Sequence, residues 1–128
     1  MNTAIEYAAK HGIATESDYP YTGTRGSCKS SKASIFPNSG DLGVTVDSVS
    51  AMESACAQQP VSIAIEADKL VFQLYNNGVL TSSGCGTSLD HGVLMVGYDT
   101  TASTPYYIVK NSWGADWGED GYVRLGIQ

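Results

Sequence analysis

Residues 90–98 read DHGVLMVGY, and from Lys110 the chain reads KNSWGADWGEDGYVRL. The first run is an apolar strand that opens on a histidine. The second closes another strand on Asn111, and Trp113 follows two residues later. A histidine starting one apolar strand, an asparagine ending the next and a nearby indole can assemble an imidazole that is oriented by an amide and shielded from water. Such a group is two thirds of a Cys/His/Asn catalytic centre. The fold therefore has to bring the ends of these two strands together, and the remaining third has to be looked for elsewhere.

A chain of 128 residues is one domain's worth and buries roughly two thirds of its unfolded surface when it folds. Its 7 Lys and Arg against 13 Asp and Glu give a formal charge of −6, and no basic run is long enough to track a phosphate backbone. Nucleic acid is not an expected partner. No apolar segment approaches the roughly 20 residues that span a bilayer, and no basic flank precedes an apolar signal core. A soluble chain without membrane contact or an address of its own is the expectation. No motif calls for a metal or an organic cofactor.

Thr3, Ala4, Ile5 and Glu6 form a capping-box pattern at the start of the chain. With Ile5, Ala8 and Ala9 on one face and Gly12 as a stop, they predict an amphipathic helix of about ten residues. From 17 to 43 the composition turns to Ser, Gly, Thr, Pro and Tyr, with Tyr19-Pro20-Tyr21 as an aromatic knot expected to pin an ordered loop. Ser50 and Glu53 make a second capping box, and Pro60 stops a short helix over 51–58. Val61, Ile63 and Ile65 then alternate as the core face of a strand. A helical stretch over 70–75 runs into the Asn76-Asn77-Gly78 turn. Three more strands are predicted near 91–98, 106–111 and 121–125. There is no internal repeat and no linker signal. The expected class is α+β, with a mainly antiparallel sheet or partial barrel and short peripheral helices.

The blocks AIEYAAKHGI, SDYPYTG, QQPVSIAIEA, FQLYNNGV, CGTSLDHGVLMVGY and YYIVKNSWGADWGEDGYVRL, in this order, resemble the right-hand half of the papain family of cysteine endopeptidases. The match runs from residue 4 to about residue 125. DHGV and KNSWGxxWGExGY at compatible spacing are jointly the most specific part of it.

The resemblance implies catalytic roles for His91 and Asn111. His91 would draw the proton from a cysteine thiol and later protonate the leaving amine. Asn111 would hold the imidazole through its far nitrogen without adding a charge. Trp113 would cover that hydrogen bond, while Trp117 and glycines 114, 118 and 121 read as structural. Ala64, Leu89 and Gly92 match one wall of the family's apolar pocket for the second substrate side chain, which suits a hydrophobic or aromatic group. Asp90 matches a position whose carbonyl contacts substrate and whose carboxylate tunes the site. His11, at a helix end, has an inert reading. The implied partners are a peptide or protein substrate and the missing left-hand half of the peptidase domain.

The departures concern the nucleophile. In relatives the cysteine lies roughly 130–150 residues before the histidine, and only 90 residues precede His91 here. Neither Cys28 nor Cys56 sits in the family's setting of a Gln followed by Cys-Gly-x-Cys-Trp. The resemblance pairs Cys28 with a left-half cysteine and Cys85 with one in a tail beyond Gln128, which implies an oxidising compartment, lysosome-like or secreted, for the full-length enzyme. Cys56 reads as a buried free thiol. Two functions stand open: a fragment or separate half of a cysteine endopeptidase, inactive alone, or a non-catalytic peptide- or protein-binding domain derived from the same fold. Under either, an exposed apolar face including His91, Trp113 and the first helix is expected to promote association.

Overall fold

A computed structural model of the chain describes residues 1–29, 38–81 and 84–127. They divide into two compact units, Met1–Gly43 and Val44–Gln128. The boundary falls where the Ser, Gly, Thr and Pro-rich stretch ends.

The first unit opens with helix α1, Asn2–His11. Ile5, Ala8 and Ala9 are its half-buried positions, as the periodicity predicts. Gly12 ends it at φ 78°, its N–H donating to the Ala8 carbonyl at 2.8 Å. The start differs from expectation: Met1 occupies the cap and no side chain caps the helix, because Thr3 already lies one residue inside. Lys10 and His11 sit in the last turn, where positive charge complements the helix dipole, and the His11 ring lies 4.4 Å from that of Tyr7. Beyond the helix, Thr15 Oγ1 donates to Asp18 Oδ2 at 2.8 Å and the Tyr21 N–H donates to Glu16 Oε1 at 2.8 Å. The expected aromatic pin is absent from Tyr21, which is 88% exposed, since local polar bonds rather than ring burial shape this turn. Residues 30–37 of the loop lie outside the described residues.

In the second unit, α2 spans Val49–Cys56. Its cap is Ser48, two residues ahead of the predicted Ser50, and Ser48 Oγ accepts from the Ala51 N–H at 3.2 Å. Ser48 prevails because its own backbone is extended (φ −129°, ψ 102°), as a cap requires. Strand β1, Val61–Ile65, follows after Pro60, and Val61, Ile63 and Ile65 pack on the core as predicted. Then come the short helix α3 (Leu70–Gln73), β2 (Val79–Leu80), β3 (His91–Asp99), β4 (Tyr106–Lys110) and β5 (Tyr122–Gly126).

The sheet has five strands in the order β1-β3-β4-β5-β2. The sheet does not close on itself. All pairs are antiparallel except β2 with β5, where a two-residue edge strand, too short for any period-2 signal, runs parallel. A bulge at Val96 shifts the register of β3 between Met95 and Gly97. The extra residue switches which side chains face inward, so Val93 and Met95 are followed in the core by Tyr98 rather than by position 97. Met95, Val109 and Val123 are almost fully buried at its centre. Truncating Met95 to alanine would cost about 2–5 kcal/mol. Among the described residues no helix is long and apolar enough to cross a membrane.

Candidate active site at the end of the sheet

The β3–β4 register pairs Met95 with Val109, both on the core face. Carried two residues further, it sets Asn111 opposite Val93, one rung from His91 on the same face. Such diagonal neighbours are within reach of long side chains. The two polar residues stand where the apolar cluster runs out, and His91 Nε2 meets Asn111 Oδ1 at 2.8 Å.

The protonation of this pair follows from its second contact. Asn111 Oδ1 also receives the Ser112 backbone N–H at 2.8 Å. A backbone N–H can only donate, so the amide atom it meets is the oxygen. His91 Nε2, facing the same oxygen, must then carry its proton. In the neutral ring Nδ1 is left with its lone pair, free to take a proton from a group on the far side. Asn111 is 8% exposed, and among the described residues its Nδ2 has no hydrogen-bond partner. Reversing the amide would turn that NH2 group toward Ser112 N–H, two donors face to face.

Trp113 stacks on His91 with centroids 5.4 Å apart and planes 29° apart. It is 41% exposed, so the indole that covers the imidazole still meets solvent. Phe72 holds it edge-on at 5.5 Å, and Trp117 does so at 5.3 Å. Trp117 in turn donates its indole N–H to the Gln73 carbonyl at 3.0 Å and packs against Phe72 and Tyr75. The loop carrying both tryptophans turns on Gly114, Gly118 and Gly121, all with φ between 61° and 91°. At Gly118 a Cβ would lie 2.5 Å from the Tyr122 carbonyl oxygen, so only glycine fits. Glu119 closes the loop: its carboxylate takes two bonds from Arg124, at 2.9 and 2.6 Å, and one from the Gly78 N–H at 2.9 Å. The Arg124 guanidinium holds the Glu119 carboxyl below its ordinary range.

On the opposite face of the same sheet end, Ala64 pairs with Gly92 and both are exposed, as are Leu89, at 65%, and Asp90. Ala64, Leu89 and Gly92 expose a small, uncharged surface beside the strand that carries His91. The Asp90 carboxylate is engaged with backbone: Oδ1 accepts from the Ala67 N–H at 2.7 Å, while the Asp90 N–H donates to the Ile65 carbonyl at 3.0 Å. Phe72 and Glu66 escape a sequence reading of the site. Phe72 is hidden in a run read only as helix. Glu66 reads as the polar end of a strand, and a lysine three residues on signals a paired acid only on a helix, where Glu66 does not lie.

All three cysteines are free thiols. Cys56 sits on α2 against the core, and burial pushes its thiol above the ordinary value, the opposite of what a thiolate nucleophile needs. Cys28 and Cys85 are exposed. Among the described residues no group of three or more His, Cys, Asp or Glu could hold a metal ion.

The family model for papain family cysteine proteases matches residues 1–128. This chain belongs to the papain family. It is 48% identical over 129 residues to vignain of Vigna mungo, and 45% identical over 128 residues to a KDEL-tailed cysteine endopeptidase of Arabidopsis thaliana. Each alignment takes in 98% of the chain and 35% of the relative, so the chain spans about a third of the length of these family members. The crystal structure of a Carica candamarcensis cysteine protease in complex with E-64 superposes with a TM-score of 0.88 at 38% identity, covering 99% of this chain and 58% of that one.

Proposed function

We propose that this chain supplies the base and the orienting amide of a papain-type cysteine endopeptidase, as the right-hand half of a peptidase domain whose nucleophile lies on a left-hand half. The observation that carries the proposal is the 2.8 Å bond from His91 Nε2–H to Asn111 Oδ1 beneath the Trp113 ring. It leaves Nδ1 as the proton acceptor. With a cysteine thiol placed against Nδ1, transfer of the Sγ proton gives a thiolate and an imidazolium. The thiolate attacks the scissile carbonyl carbon, and the imidazolium returns its proton to the leaving amine as the C–N bond breaks. Asn111 keeps the ring in one orientation through both transfers, and Trp113 limits water access to the hydrogen bond.

Ala64, Leu89 and Gly92 form the wall that receives the second substrate side chain, an apolar one. The exposed Cys28 and Cys85 fit partners outside the chain, and the KDEL tail of the Arabidopsis relative fits a secretory or lysosome-like route. The intact His91–Asn111 bond favours the peptidase over a purely binding descendant of the fold.

The test is hydrolysis, under reducing conditions, of a fluorogenic dipeptidyl amide with Phe or Leu at the second position, with and without an added left-hand half. Activity only in the mixture supports the proposal. Activity of the chain alone that alkylation abolishes would return Cys28 or Cys56 to the role of nucleophile. No activity from halves shown to bind each other would leave the binding reading standing.

A further inference from the structure

Strand β1 ends at Ile65 and β3 begins at His91, and these two residues form the last rung between the strands. Just beyond that rung the chain segments at 66–69 and 86–90 run side by side without forming regular sheet. Two carboxylates stitch them together. Glu66 Oε2 accepts the Ser88 N–H. Asp90 Oδ1 reaches the other way to the Ala67 N–H at 2.7 Å. Each acid thus serves a backbone donor on the opposite segment, a reciprocal lock like a capping box between two loops.

Glu66 is 8% exposed, and Lys69 Nζ lies 2.7 Å from its Oε1, so the buried charge is paired. The loop approaches closely enough that a Cβ at Gly86 would overlap the Glu66 carboxylate. Leu89 sits between the two locked positions, 88 and 90. It is 65% exposed and stands outside the core cluster, so packing does not fix it. Its place depends on its neighbours' backbone bonds: Glu66 on one side, Ile65 and Ala67 on the other.

We infer that Glu66 is a positioning residue for substrate selection: through Ser88 it holds Leu89 as the rigid wall for the second substrate side chain. Its hydrogen bond and ion pair go to Ser88 and Lys69, not to His91. The inference rests on the peptidase reading for what the wall receives, but not for the wall's rigidity.

The experiment has two readouts. The first is the backbone 15N order parameter of Ser88 and Leu89 in the full chain, for wild type, Glu66→Gln, Glu66→Ala and Gly86→Ala. Wild type is expected near 0.85 and Glu66→Ala below about 0.6. Glu66→Gln, whose amide oxygen still accepts from Ser88, should stay close to wild type. Gly86→Ala displaces the carboxylate from the other side and should loosen the same two residues, which covers the case in which Glu66→Ala fails to fold. The second readout is the ratio of kcat/KM for Phe over Ala at the second position, measured with the left-hand half added. It is expected to fall about tenfold in Glu66→Ala, through KM for the Phe substrate, and by less than about twofold in Glu66→Gln. Unchanged order at 88–89 in both Glu66→Ala and Gly86→Ala would overturn the inference. So would a loosened segment with an unchanged Phe to Ala ratio, since Glu66 would then be structural only. Failure of the wild-type mixture to cleave either substrate would refute the peptidase reading instead, and the order parameters would then decide the wall's rigidity alone.

Discussion

Two irregular stretches of this chain look alike on paper. Residues 12–29 and 111–122 are both rich in glycine, acidic and aromatic residues, and both contain glycines at positive φ. In the second stretch nearly every element is tied to something distant in sequence. Trp117 donates to the Gln73 carbonyl, Glu119 accepts from the Gly78 N–H, and the rings of Phe72, Tyr75, Trp113 and Trp117 interlock. In the first stretch the side-chain hydrogen bonds among the described residues reach no further than five residues, Tyr21 to Glu16, and the Lys29 ammonium lies 5.5 Å from the Tyr19 ring centre. A loop becomes a rigid platform when its polar groups and rings are satisfied from outside the loop, and the candidate site stands on the loop built that way.

That contrast breaks most visibly at the aromatic rings. Replacing Trp117 by alanine removes its packing on Phe72 and Tyr75 and its bond to Gln73, and should cost about 3–5 kcal/mol. Tyr21→Ala, at a ring 88% exposed, should change stability by less than about 0.5 kcal/mol. Denaturant titrations followed by far-ultraviolet circular dichroism check both, and equal losses would remove the distinction between the loops.

The glycines sharpen it further. Gly23, at φ 68°, has nothing within 4 Å of an added Cβ, whereas at Gly118, at φ 61°, the Cβ meets the Tyr122 carbonyl oxygen at 2.5 Å. Both alanine variants carry the left-handed strain of about 1–2 kcal/mol, and Gly118→Ala should lose about 1–3 kcal/mol more. The same titrations read the difference.

Acid gives the smallest effect. Lys69 and the Ser88 N–H hold the Glu66 carboxyl below its ordinary value, and Arg124 does the same for Glu119. An unfolded glutamate titrates near about 4.3. The stabilisation from both acids is therefore complete above that value and drains away as pH falls through their lower folded values. The melting temperature should be flat from pH 7 to about 5 and fall below about 4. Glu119→Gln should start lower and fall less steeply, and a fall already complete at pH 5 would contradict this assignment.

Much of this was legible in the sequence because the relevant signals are local. Alternation at Val61, Ile63 and Ile65 located β1, apolar runs located β3 and β4, and Gly12, Pro60 and Gly78 marked the ends of elements. His91, Asn111 and Trp113 stood out because their setting in DHGV and KNSWG is unusual. What escaped depends on long-range pairing. Thr3 and Ser50 have the right chemistry for caps, but the entering backbone put the helix starts at Met1 and Ser48. The two residues of β2 form a strand only because β5 lies beside them. Phe72 and Glu66 matter through partners 41 and 22 residues away, Trp113 and Ser88, and no periodicity carries such a distance.

The central claim is that Asn111 holds the His91 proton on Nε2 and leaves Nδ1 to act as the base. Long-range 1H–15N correlation of the His91 ring in the 15N-labelled chain, at a pH where the ring is neutral, reads this directly. The expected result is a proton on Nε2 whose resonance persists because Asn111 and Trp113 slow its exchange with water, and which is lost in Asn111→Ala. A proton on Nδ1, or an Nε2 proton that exchanges as fast in wild type as in Asn111→Ala, would contradict the account.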